Sequence, residues 1–362
     1  MSVYFVHLLN DNSGSPIVLN NLIEGLSYKN KKKFLITSRN ANGILNKNDA
    51  DKHFFNYFIH DNKIFQIYHY IIAQFNIFFI LCKLMPSKDS LIYINTLLPF
   101  AAGLWGLLFN RKVVYHLHEV SITPKLFNYF LMSCCRCFSS FNIFVSNYHR
   151  KVIGISSVRS CVIYNSIPKR IYHCNHKKTN KLYFNVLMLT SNRSYKGIDI
   201  FIKIVEKLQS NINIRFTLVL NDFSANYNKF IYCNNKYQNL KIYPSTHTVN
   251  KFYSESNLVL NLSKVDKWVE TFGMTIIEGM HFSLPAIVPP EGGPVELVRN
   301  GVNGYLINSY NVDKVIEKIL YLSENKSVYN LMAKNAKITS YKFTPNTYSK
   351  NINKLFNYLN ED

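Results

Sequence analysis

Acidic residues are scarce in this chain of 362: 21 aspartates and glutamates stand against 42 lysines and arginines, a formal net charge of +21. The shortage is general and not the work of one basic tail, since residues 1–170 carry +12 and residues 171–362 carry +9. Such a field draws a protein toward nucleic acid, an anionic membrane leaflet or phosphorylated substrates. A Lys- and Asn-rich compositional bias accounts for part of the excess. Charge of both signs together makes up only 17% and hydrophobic residues 48%, which excludes a disordered chain. The seven cysteines are odd in number and form no evenly spaced framework, which excludes a disulfide-stapled domain and fits a reducing cytoplasm. The opening "MSVYFVHLLNDNSG" lacks a basic n-region and a small-residue cleavage site, so it reads as a first β-strand and not as a signal peptide. Also missing are an internal repeat, a Ser/His/Asp or Cys/His signature, and a full GxGxxG, so dinucleotide binding has no support.

The chain has one apolar run long enough to cross a bilayer, "IFQIYHYIIAQFNIFFILC" at Ile64–Cys82. Its polar residues Gln66, His69, Gln74 and Asn76 fall within an arc of about 160° on a helix, which predicts an amphipathic helix packed on a sheet or lying in a membrane interface. A second apolar stretch, Leu97–Phe109, is too short to span. Core burial is the expected role of each, with membrane contact as the alternative.

Short apolar runs alternate with helical patterns throughout. Strands are expected at Val3–Leu9, Lys32–Ser38, Ser90–Asn95, Lys112–His118, Phe141–Asn147 and Ser160–Asn165, with a helix at Ile17–Leu26. Continuous apolar strands with intervening helices mean a parallel sheet covered on both faces. The polar, basic stretch Ser166–Leu182 reads as a linker. The pattern then restarts with strands at Tyr183–Thr190, Arg215–Asn221, Leu240–Pro244, Asn257–Ser263 and Leu284–Pro290. A helix at Gly197–Gln209 places Ile198, Phe201, Val205 and Leu208 on one stripe. The chain therefore holds two doubly wound α/β domains, 1–168 and 169–343, with a last amphipathic helix in 344–362 that could pack back on the first.

In such sheets ligands bind outside the carboxyl ends of the strands, and four stretches fall there. "LLNDNSGSP" (Leu8–Pro16) offers Gly14 for close backbone approach and the first amides of a helix for an anion, or an ordinary turn with Ser15 as the cap. "HLHEV" places His118 and Glu119 at a strand end, where a histidine is either structural or functional. "LTSNRSYKGID" puts Arg193 and Lys196 in a strand-to-helix turn, a fork and a point charge suited to a diphosphate or simply a solvated loop. "ETFGMTIIEGM" carries Glu270 in a loop, Thr271–Gly273 at a helix start whose free amides favour an anion, and Glu278 inside the helix. About 80° of helical rotation separates the two glutamates, which fits a clamp on a long ligand better than an acid–base dyad. Gly292 and Gly293 follow in another close-approach loop.

The run from Glu270 to Ile307 resembles the donor-site core of the retaining glycosyltransferases of family 4, a GT-B fold group with a Glu-x7-Glu motif. "YKGIDIFI" resembles its Lys-Gly diphosphate segment, and "VIYNSI" the segment that ends the first domain. The chain departs where the family has Ala-Met-Ala-x-Gly-x-Pro, reading Gly279-Met280-His281-Phe282-Ser283-Leu284-Pro285 instead. Thr190-Ser191-Asn192 replaces the usual Gly-Arg-Leu, so the phosphate arginine would be Arg193. The amino-terminal loop has one glycine, not two.

The resemblance implies two Rossmann-like domains facing each other across a cleft and a metal-independent, retaining glycosyltransferase without a cofactor. The donor would be a UDP-, GDP- or dTDP-linked sugar. Glu278 would hold its ribose and Glu270 its sugar hydroxyls. Arg193, Lys196 and the amides of Phe272 and Gly273 would bind the diphosphate. His118 would touch the sugar, and the Gly14–Ser15 loop would approach phosphates or acceptor; Glu270, His118 and Lys196 are the expected catalytic groups. The acceptor implied is a lipid-diphosphate-linked saccharide, in cytoplasmic synthesis of a bacterial surface polysaccharide such as O-antigen or lipopolysaccharide, at the inner face of an anionic membrane. A nucleotide-sugar epimerase is the alternative with the same fold, with Glu119 as the one carboxylate available in the first domain. A basic membrane or nucleic-acid module is disfavoured, because the aromatics lie in core strands, and no nucleic-acid partner is expected. Asp49–Asp51 mimics a metal-binding DxD but has no apolar strand leading into it. Cys161, His173, Cys174 and His176 lack the spacing of a structural zinc site, so no metal is expected.

Overall fold

The computed structural model describes residues 2–27, 32–120, 122–155, 158–174, 182–221, 230–231, 233–244 and 248–361. The chain divides into two units, Met1–Ser166 with Pro345–Asp362, and Ile167–Thr344.

In the first unit the strands are β1 (Val3–Val6), β2 (Lys33–Ser38), β3 (Asp51–Phe55), β4 (Leu91–Asn95), β5 (Lys112–Leu117), β6 (Phe141–Phe144) and β7 (Ser160–Val162). They form one parallel sheet in the order β3-β2-β1-β4-β5-β6-β7. The second unit has β8 (Phe184–Ser191), β9 (Ile214–Asn221), β10 (Leu240–Pro244), β11 (Leu258–Leu260), β12 (Ala286–Val288) and β13 (Gly304–Leu306), ordered β10-β9-β8-β11-β12-β13 and again parallel. The expected doubly wound α/β class is what the structure has. In each sheet the strand order reverses once, between β1 and β4 and between β8 and β11, and a crevice opens outside the strand ends at such a reversal.

The helices used below are α1 (Gly14–Gly25), α2 (Lys63–Leu84), α3 (Phe100–Leu108), α4 (Lys125–Phe138), α5 (Ile198–Lys207), α6 (Met274–His281) and α7 (Pro345–Glu361). The predicted stripe of α5 and its C-cap, Ile198, Phe201, Val205 and Leu208, is buried in the second core. The apolar face of α7 buries Tyr348, Ile352 and Phe356 against β1 and β4 of the first unit, with Phe356 stacked 5.8 Å from Tyr93. Leu97–Phe109 supplies α3, whose Trp105 is fully buried.

The helix expected at Ile64–Cys82 forms as α2, but core burial is not its main condition. Only 22% of its most apolar 18 residues are buried. Phe65, Ile67, Ile71, Phe75 and Phe79 are exposed, while Gln74 is buried and accepts the Ala101 amide at 3.1 Å. Gln66 turns to the hydroxyl of Tyr57 at 2.6 Å. Two of the polar residues, Gln66 and Gln74, bond to the protein, Ala73, Ile77 and Leu81 are buried in the first core, and a further apolar face points outward. By length and composition α2 could cross a membrane. Helix α4 adjoins it through a Tyr70–Phe127 ring contact at 5.3 Å and also exposes Leu126, Tyr129 and Phe130.

Candidate functional site

In the second unit the turn after β8 and the loop after β11 meet at the reversal of strand order. Gly197 forces this close approach: its φ is +77°, and a Cβ there would lie 2.0 Å from the Leu262 carbonyl oxygen. The Lys264 amide donates to the Tyr195 carbonyl at 2.8 Å, and the nearly buried Lys264 ammonium pairs with Asp199 of α5 at 2.7 Å. The Tyr195 ring stacks on Trp268 at 5.1 Å. On this platform Lys196 Nζ lies 2.8 Å from Glu270 Oε2 and 5.4 Å from the Trp268 ring centre. Arg193 is exposed on the same turn.

Helix α6 begins at Met274 after Gly273, whose φ of +110° is unfavourable for any side chain. Phe272 is buried. The Gly292–Gly293 loop makes its close approach to the protein itself. The Gly293 amide donates to the Glu270 carbonyl at 2.8 Å, and a Cβ on Gly293 would lie 2.1 Å from the Thr271 carbonyl oxygen. These glycines therefore hold the backbone that carries Glu270. Further along α6, Glu278 Oε2 accepts the Tyr253 hydroxyl at 2.7 Å. Burial pushes the Glu278 carboxyl up to about 7, against smaller downward pulls from that bond and from Arg170.

In the first unit the ends of β1, β4 and β5 meet at the other reversal. Gly14 opens α1, and a Cβ there would meet nothing within 4 Å. The expectation of Ser15 as helix cap is corrected: the N-cap is Ser13, and Ser15 lies within the first turn. Asn95, at the end of β4, joins the two predicted parts. Its Oδ1 lies 2.8 Å from His118 Nε2, and its Nδ2 3.1 Å from the Ser15 carbonyl. His118 follows β5 and is half-buried. Its ring lies 4.3 Å from that of His116, whose Nδ1 is 2.8 Å from the Tyr93 hydroxyl. His149 Nε2 is 2.9 Å from the Glu119 carbonyl. Burial lowers all four imidazoles here: His7, His116 to about 3, His118 well below its ordinary value, and His149 to about 4. Burial raises the Glu119 carboxyl to about 7.

The structure thus gathers Lys196, Glu270, Phe272, Gly273 and the exposed Arg193 on the second unit, with Glu278 on the helix that follows. It gathers Gly14, Ser15 and His118 on the first. Trp268, Tyr195, Lys264, Tyr253 and Asn95 did not emerge from the sequence. Trp268, one of two tryptophans and two residues before Glu270, was the available signal. Of the residues set aside, Asp49 pairs with Lys33 at 3.0 Å and Asp51 opens β3, a strand the sequence did not disclose. Cys174 donates to the Arg170 carbonyl at 3.2 Å, and His176 lies outside the described residues.

Residues 175–339 match the family model of the glycosyl transferases group 1. A sucrose synthase of Melioribacter roseus is 38% identical over 88 residues, which is 23% of this chain and 11% of that one. An uncharacterized glycosyltransferase, MJ1178 of Methanocaldococcus jannaschii, is 28% identical over 204 residues, 56% of this chain and 55% of that one. The matched stretches thus span a tenth to about half of these relatives. Among solved structures, Anabaena Alr3699/HepE in complex with UDP and glucose superposes with a TM-score of 0.79 at 20% identity, covering 99% of both chains. A sucrose-phosphate synthase from Thermosynechococcus elongatus gives 0.79 at 13% identity, covering 99% of this chain and 98% of that one. The fold is that of GT-B glycosyltransferases, two Rossmann-like parallel-sheet units.

Proposed function

We propose that the protein is a metal-independent, retaining glycosyltransferase that moves a sugar from a nucleotide sugar to a hydroxyl of a lipid-linked saccharide. The observation that carries the donor half is the Lys196–Glu270 pair at the reversal between β8 and β11, with Glu278 eight residues further on. Cleavage of the sugar–diphosphate bond leaves negative charge on the departing diphosphate. Lys196, with Arg193 on the same turn and the α6 amides beyond Gly273, stabilises that charge as it develops. The sugar and ribose hydroxyls go to Glu270 and Glu278. His118 and the Gly14–Ser15 loop serve a saccharide. The family match of residues 175–339 favours a glycosyl transfer, and the UDP named in the HepE complex favours a uridine donor.

The acceptor half rests on α2. A helix that bonds Gln66 and Gln74 to the protein and exposes Phe65, Ile71, Phe75 and Phe79 is suited to hydrocarbon, and the first 170 residues carry +12. A lipid-linked acceptor at the inner face of a bacterial membrane, in surface-polysaccharide synthesis, fits both. The names of the sucrose synthase and sucrose-phosphate synthase relatives favour a second reading, a soluble sugar acceptor.

Thermal-shift titration with UDP, GDP, dTDP, ADP and CMP tests the donor. The matching nucleotide at 100 times its dissociation constant adds about 2.7 kcal/mol of stability. Failure of every nucleotide to stabilise the protein overturns the proposal, and conversion of a nucleotide sugar to its epimer without acceptor replaces it with an epimerase.

A further inference from the structure

Asn95 is fully buried at the end of β4 and faces three groups. Its Oδ1 is 2.8 Å from His118 Nε2. Its Nδ2 is 3.1 Å from the Ser15 carbonyl and 3.1 Å from His7 Nδ1, which also lies 3.2 Å from the Asn95 carbonyl. The two ends of an amide are told apart by their partners. A backbone carbonyl can only accept, so the end of Asn95 that faces Ser15 must be the donating NH₂. The end that faces His118 is therefore the oxygen, which can only accept. His118 Nε2 must then carry a proton.

Burial and the neighbouring His116, His149 and His7 keep the His118 ring neutral at ordinary pH. A neutral imidazole has one N–H and one lone pair, so the lone pair sits on Nδ1. No described residue bonds to that atom, and the His118 side chain is only half-buried. The backbone beside Asn95 shows what this aim requires. Thr96 has φ +77°, unusual for a β-branched residue, and its amide is tied to the His116 carbonyl at 2.9 Å.

We infer that Asn95 is a positioning residue that locks His118 in its Nε2–H form, so that Nδ1 is presented as a hydrogen-bond acceptor to a hydroxyl of the bound saccharide. An acceptor nitrogen repels phosphate oxygens, so His118 belongs to the sugar side of the reaction and not to the diphosphate. The ligand in this inference rests on the glycosyltransferase reading; the lock itself does not.

Two-bond ¹H–¹⁵N spectra of the full chain labelled at histidine read the tautomer directly at pH 7.5. The wild type is expected to show His118 with the proton on Nε2. Asn95→Leu, which removes the side-chain contacts to His118, Ser15 and His7 at similar size, is expected to release it to a mixture. A charged or Nδ1–H His118 in the wild type overturns the lock, and so does an unchanged tautomer in the variant. The wild-type spectrum decides even if Asn95→Leu does not fold.

The second readout is UDP release from the UDP-sugar that best stabilises the protein. Asn95→Leu should lower kcat/KM about tenfold, the scale of one neutral hydrogen bond. A tautomer change without loss of kcat/KM overturns the presentation to substrate and leaves the transferase intact. A wild type that turns over no UDP-sugar counts against the transferase reading, while the spectra still decide the lock.

Discussion

The Lys196 ammonium and the Glu270 carboxylate form an ion pair at 2.8 Å, each side chain about one-fifth to one-quarter exposed. They were expected to serve two parts of one ligand, the diphosphate and the sugar. In the free protein they serve each other. On the proposed reading a donor diphosphate would compete with Glu270 for the lysine, and breaking the pair would free a carboxylate for sugar hydroxyls. Such binding would exchange one anion for another on Lys196 and avoid leaving its charge unpaired at a partly desolvated place.

Replacing the lysine tests this exchange. Lys196→Ala should lower transfer about 10- to 150-fold, the range of charge-assisted bonds of about 1.5–3 kcal/mol. The melting temperature should change little, because a partly exposed ion pair contributes little to stability. Transfer within a factor of three of wild type would remove Lys196 from the diphosphate site.

With Glu278 as the proposed ribose ligand, its carboxyl, raised by burial to about 7, should make donor binding depend on pH. A carboxylate that accepts ribose hydroxyls must be ionised, so the competent form dominates above pH 7 and is lost as the pH falls. Apparent affinity for the donor should be about tenfold weaker at pH 6 than at pH 8. Glu119 is also raised to about 7, so the control is Glu278→Gln, which should flatten the dependence while weakening binding at pH 8. A dependence unchanged in that variant would assign the titration elsewhere.

Activity should survive EDTA. In the proposed mechanism Lys196, Arg193 and the α6 amides would supply the positive charge that a metal brings in transferases built on a DxD motif. Activity lost to chelation and restored by Mn²⁺ or Mg²⁺ would return Asp49 and Asp51 to consideration.

The outward face of α2 should bind lipid vesicles. Exchanging Phe75 and Phe79 for glutamate should reduce co-sedimentation with anionic vesicles at least tenfold without lowering the melting temperature, since both rings are exposed. Residual wild-type binding at high salt measures the hydrocarbon contribution, because the attraction of the basic unit is screened within about 8 Å at physiological ionic strength. A wild type that sediments with no vesicle would favour a soluble acceptor.

Much of this fold could be read from apolar periodicity, and its limits are instructive. Ile198, Phe201, Val205 and Leu208 are buried as their spacing predicts, because a period of 3.6 residues leaves one solution for a helix on a sheet. The edge strands β3 and β13 were missed: Asp51-Lys52-His53 is polar, and Gly304–Leu306 is three residues long. Edge positions need no continuous apolar run. For α2 the periodicity gave the stripe but not its direction, since a pattern of two faces does not say which one meets the protein. Asn95 was illegible because its partners, Ser15 and His118, lie 80 and 23 residues away and meet only through the reversal of strand order between β1 and β4.

The return of α7 to the first unit has a consequence for biosynthesis. Tyr348, Ile352, Leu355, Phe356 and Leu359 complete a core whose other members lie before residue 167. Domains generally fold as units while the chain is made, amino-terminal parts first. Here that order is inverted. The second unit has all its residues once Thr344 has left the ribosome, while the first waits, with apolar surface on β1, β4 and α1 uncovered, for the last helix to emerge.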